Sequence, residues 1–154
     1  VIHAYGHEGK GVPLARNFIR RLTSEKELCR YVTNMVELHM KPNQYAAQNS
    51  RQRAWNVLFD ASICPEDLML LAKADHLGRA GAADYDERER TIREKYAKFE
   101  EMMARPYVTG ADLMARGVQP GEEMGRMLER AHRWRLAGIE KEDVMRQLEN
   151  SFRV

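Results

Sequence analysis

Cysteines and long apolar runs are scarce in this 154-residue chain, and prolines number only five. The two cysteines, Cys29 and Cys64, stand in no metal-binding spacing, and each sits among apolar residues. That excludes a cysteine-ligated zinc site and a disulfide scaffold; it favours a reduced, buried pair in a cytoplasmic protein. No apolar run nears the roughly 20 residues that cross a bilayer, so no membrane partner is expected. The first residues lack the apolar stretch of a signal peptide. Alternating apolar and polar runs are almost absent, which argues against a β-rich fold. Neither internal repeats nor low-complexity tracts occur.

What is present suits helices. A hydrophobic fraction of 44% beside 31% charge supplies a core and argues against disorder. The length fits one domain, or one domain with a helical extension. The net charge of +2 names no partner, but its distribution is uneven. Residues 1–83 carry 11 Lys and Arg against 8 Asp and Glu, with four of the five histidines. Residues 84–154 carry 14 against 15, so the front half is the better place for anion contacts. The chain begins on Val1 rather than Met, as a fragment would.

Helical spacing recurs from end to end. Pro13 suits a first helical turn, after which Leu14, Phe18 and Leu22 repeat every four residues. Ser24 and Glu27 have capping-box spacing ahead of a second helix through Leu28, Val32, Met35, Val36 and His39, which Pro42 should stop. A third helix is expected from about Ser50 to Ala61. A fourth should start at Pro65, with Leu68, Leu71, Ala72 and Asp75 on one face, and end in the glycines of "GRAGAAD". "DYDERERTIREKYAKFEEMMARP" reads as one long helix with Tyr85, Ile92, Tyr96, Phe99 and Met103 in a stripe. Three shorter helices follow. Thr109 is the candidate cap of the first, Gly117 and Gly138 are candidate stops, and Gly125 is a candidate close-packing point.

Two polar side chains fall on apolar faces. His39 follows Val32 by seven and Val36 by three; Asp75 follows Leu71 by four and Ala72 by three. A buried carboxylate is costly unless it is paired or meets a cation. His39 is therefore either a satisfied core histidine or a ligand, and Asp75 either pairs with an arginine or faces a metal. His3 and His7 lie in a glycine-rich stretch, and His76 and His132 read as surface residues. In "RAHRWR", Arg130, Arg133 and Trp134 either stack on a base or form a packed tryptophan with a basic rim.

The order of "YGHEGKG", "MVELHMKP" and "LAKADHLGR" resembles the latter part of an HD-domain phosphohydrolase. More narrowly it is similar to the HD domain attached to tRNA nucleotidyltransferases of the CCA-adding and poly(A) polymerase family. "PYVTGADLMARGVQPGEEMGRMLERAHRWRLAG" resembles the C-terminal stretch of those proteins. The resemblance implies an all-α fold: a partial HD-like helical bundle over 1–83 and a helical extension over 84–154. It implies that His7, His39 and Asp75 belong to a divalent-metal site, for Mg, Mn, Ni, Fe or Zn, that positions a phosphate ester for attack by water. It also implies tRNA or another RNA as partner, acting in 3′-end processing. Lys10, Lys41, Arg51, Arg53 and Arg79 flank the site as candidate phosphate contacts, with ordinary surface residues as the alternative.

The family's adjacent His-Asp doublet has no counterpart here, and neither has its nucleotidyltransferase head. The expectation is a part that holds RNA, binds little metal and has no catalytic residue of its own. The alternative is an HD-type phosphohydrolase acting on phosphate esters or 2′,3′-cyclic phosphates, completed by an upstream doublet.

Overall fold

A computed structural model describes residues 7–79 and 84–152, with the backbone alone for 7–9 and 150–152. It is all-α: among the described residues there is no strand, and no helix is long and apolar enough to cross a membrane. The helices are α1 (His7–Leu22), α2 (Lys26–Leu38), α3 (Lys41–Ala47), α4 (Gln52–Ala61), α5 (Pro65–Leu77), α6 (Asp86–Ala104), α7 (Gly110–Met114), α8 (Glu122–Leu136) and α9 (Lys141–Phe152). Contacts divide the chain within α6, into Val1–Tyr96 and Ala97–Val154.

In the first unit, α1 packs on α2 through its small side. Gly11 brings the α1 backbone so close to Val36 that a Cβ at position 11 would stand 3.1 Å from Cγ1 of that valine. The repeat of Leu14, Phe18 and Leu22 faces away from this contact, at 70%, 59% and 67% exposure. Periodicity located the helix but not its buried side. The helix also begins before Pro13, which sits inside it.

The capping box expected at Ser24 is not formed. The N-cap of α2 is Glu25, without a side-chain cap, and its amide donates to Thr23 Oγ1 at 3.1 Å. Pro42 does not simply stop α2 but falls in the first turn of α3, where a missing N–H costs nothing. The core of this unit is aromatic. Trp55 and Phe59 stack at 5.7 Å, Tyr45 meets Trp55 edge-on at 5.5 Å, and Tyr96 meets Phe59 at 5.0 Å. Leu68 and Ala72 of α5 are fully buried, whereas Leu71 is 38% exposed and stands at the edge. Both cysteines are free and half-buried rather than buried.

One polar node crosses this apolar interior. Asn43 Nδ2 donates to the Ala72 carbonyl at 2.7 Å, and Tyr85 donates its hydroxyl to Asn43 Oδ1 at 2.9 Å. Burial pushes the Tyr85 phenol up to about 12.

In the second unit, Leu113, Met124, Met127, Ala131, Val144 and Leu148 form the core. Thr109 caps α7 in a reciprocal box. Its hydroxyl accepts from the Asp112 amide at 3.2 Å, and its own amide donates to Asp112 Oδ2 at 2.8 Å. Lys141 donates to the same carboxylate at 2.9 Å, which fastens the start of α9 to α7. Arg135 reaches from α8 to donate to the carbonyls of Met102, Met103 and Arg105 at 3.1, 2.8 and 2.7 Å. Carbonyls at a helix C-terminus run out of donors within the helix, and this guanidinium supplies them from outside. Gly117 and Gly138 adopt positive φ, 88° and 82°, where a glycine ends a helix without strain.

Gly125 is not a packing point: a Cβ built there meets nothing within 4 Å. Gly125→Ala is therefore expected to stabilise the second unit by about 0.5–1 kcal/mol, through lower unfolded-chain entropy, as read from its urea midpoint. The Lys141 ammonium, then the Thr109 hydroxyl and amide, hold the Asp112 carboxyl down at about 2. A carboxyl lowered on folding gives stability that is present above about pH 4 and lost as pH falls toward 2. The urea midpoint of this unit should fall over that window, and the fall should be shallower in Asp112→Asn.

Candidate functional site

The ends of α2 and α5 hold the two described members of the expected metal set. His39 closes α2 as its C-cap, half-buried, with Nδ1 2.8 Å from the Val36 carbonyl. A carbonyl accepts only, so Nδ1 carries the proton and Nε2 points elsewhere. The imidazole lines a cavity of about 540 Å³ between α2 and α5, walled by Val32, Met35, Val36, Leu70, Leu71 and Ala74. The apolar-face reading of His39 thus finds it at the rim of an apolar groove.

Asp75 is not on the buried face. Its carboxylate, 28% exposed, takes Nη2 of Arg79 at 2.5 Å, one turn along the chain. The same guanidinium lies 3.7 Å from Met40 Sδ, directly after His39. Arg79 therefore links the end of α5 to the α2–α3 turn while occupying the Asp75 carboxylate. The side chain of His7 lies outside the described residues, as does His3. Among the described residues, no group of three or more His, Cys, Asp and Glu side chains is placed to hold a metal ion. His39 and Asp75 do not make such a site by themselves.

The candidate phosphate contacts fall at helix ends and on one exposed helix flank. Lys41 opens α3 and is half-buried. Arg51 is the N-cap of α4, Arg53 lies in its first turn, and both are exposed. Lys10 is exposed on α1, and Arg79 is exposed but committed to Asp75.

One side chain here behaves differently from the sequence expectation. His76 is half-buried, with its ring 5.0 Å from that of Tyr85. Its Nδ1 stands 3.1 Å from Arg88 Nη1 and accepts from it, since arginine only donates. Trp134 is the packed tryptophan of the two alternatives: it sits against the second unit's core with Arg130 4.4 Å above its ring. Sequence spacing gave no sign of the Tyr31–Asp67 pair at the edge of the apolar cavity. Its hydroxyl donates to the carboxylate at 2.8 Å across 36 residues. That bond, before the one from Cys64, lowers the Asp67 carboxyl, and it raises the Tyr31 phenol.

Comparison with known protein families, with curated proteins and with solved structures gives no match. The chemistry of the side chains is thus the ground for a functional reading.

Proposed function

We propose that this chain is the helical, RNA-holding part of a tRNA nucleotidyltransferase-like protein, HD-like in its front half and without catalysis of its own. It would act in the cytoplasm, in tRNA 3′-end processing. The observation that supports this reading most is the ion pair between Asp75 and Arg79. A carboxylate that serves a divalent metal has to be available to it. Here the Arg79 guanidinium, just past the end of the helix, already pairs with one oxygen of Asp75 and competes with a metal for it.

With Asp75 so engaged, cations stand at the α2–α3 turn and at the start of α4. Lys41, Arg51 and Arg53 lie near backbone N–H groups at helix starts, which suits phosphate oxygens. Nucleotide transfer, and any Mg, Mn, Ni or Fe it requires, would then belong to residues upstream. The phosphohydrolase reading needs the opposite: an Asp75 released from Arg79 and joined by further ligands.

The test is tRNA binding by fluorescence anisotropy across a salt series. Binding at low salt is expected, weakening as salt rises. Lys41→Ala, Arg51→Ala and Arg53→Ala should each weaken it and lower the salt slope by about one. Absence of tRNA binding at low salt, or metal-dependent hydrolysis of a phosphodiester that Asp75→Ala removes, would overturn this reading.

A further inference from the structure

The hairpin between α1 and α2 holds a cavity that none of the candidate metal or phosphate residues named above enters. It measures about 340 Å³, and its walls include Arg16 and Arg20 from α1 and Lys26 and Arg30 from α2. Each pair is four residues apart on its helix, so each presents two cations on one flank, one turn apart. The helices are joined by three residues, 23–25, which face the two flanks toward one another at the turn. Glu25 is the one carboxylate lining the cavity. Glu27 holds Arg30 at 3.1 Å. Among the described residues, no carboxylate pairs with Arg16, Arg20 or Lys26.

Cations gathered in this way repel one another, and the repulsion is relieved when an anion enters. We infer that this cavity is a binding site for phosphate groups, presented by a free pyrophosphate-like compound or by a nucleic-acid backbone. Arginine favours that chemistry, because its fork of N–H donors matches phosphate oxygens in pairs. The opening of α2 adds donors of a second kind. The first backbone N–H groups of a helix have no partner within it, and the Glu25 side chain does not cap these. The walls also carry hydroxyls, from Thr23 and Ser24. Arg16, Arg20 and Lys26 define the site; Arg30, held by Glu27, and the helix end supplement them.

This site is separate from His39, Asp75 and Lys41, so its test is separate as well. Inorganic pyrophosphate is titrated into the whole chain at low salt, with backbone amide shifts as the readout. Shifts centred on Ser24 to Glu27, saturating with dose, are expected. Arg16→Ala/Arg20→Ala should weaken the pyrophosphate affinity by at least about tenfold, as the loss of charge-assisted bonds predicts. Both arginines are exposed, so the remaining spectrum should be unchanged; Arg16→Gln/Arg20→Gln serves as a second variant of similar size. A single-stranded RNA oligonucleotide that displaces pyrophosphate from these amides identifies the nucleic-acid backbone as the source. An oligonucleotide that leaves them unmoved identifies free phosphate compounds. No pyrophosphate-dependent shift at Ser24 to Glu27, or equal affinity in both double variants, would overturn the inference.

Discussion

A buried amide ties the helix that follows α2 to α5. Asn43 donates to the Ala72 carbonyl and accepts from the Tyr85 hydroxyl, so one side chain ties α3 to α5 and to the residue before α6. Its surroundings are apolar, and a buried polar group left without partners there would cost about 1–3 kcal/mol. The node is satisfied on both sides, and for that reason it specifies a geometry. The α2–α3 turn, with His39, Met40 and Lys41, is set against the end of α5, with Asp75 in its last turn and Arg79 just past it. Everything said of this site depends on that juxtaposition.

Charge then decides what the site is suited to. The Asp75 carboxylate is answered by Arg79 just past its own helix, and the His39 Nδ1 proton by a backbone carbonyl. Lys41 at the α2–α3 turn and Arg51 and Arg53 at the start of α4 then supply positive charge. The second unit follows the same logic with different parts. Asp112, Thr109 and Lys141 close a reciprocal cap, and Arg135 closes the end of α6. In the second unit, helix ends are thus satisfied by side chains, a cheaper solution than burying bare carbonyls or amides.

Much of the fold was legible in the sequence because its signals are local. Prolines, glycines and the Thr109–Asp112 spacing mark helix ends, and the stripe with Tyr85, Ile92 and Phe99 marks the buried side of α6. The side on which α1 packs was not legible. Leu14, Phe18 and Leu22 form the stronger apolar pattern, but the small side at Gly11 makes the contact. The turn of helix at α3 was hidden because a proline that stops one helix can also start the next. Of the site, the Asp75–Arg79 spacing was open to reading as an ion pair, being one helical turn. The Asn43–Tyr85 bond spans 42 residues, and nothing in local spacing announces a partner so distant.

The most direct test of this account is a double-mutant cycle on Asn43→Ala and Tyr85→Phe. Urea unfolding would be followed by tryptophan fluorescence in a Trp134→Phe background, so that Trp55 reports the first unit alone. A coupling of about 1 kcal/mol between the two positions is predicted, since each variant leaves the other's partner unsatisfied. Additive losses, with no coupling, would contradict the node and with it the placement of the site.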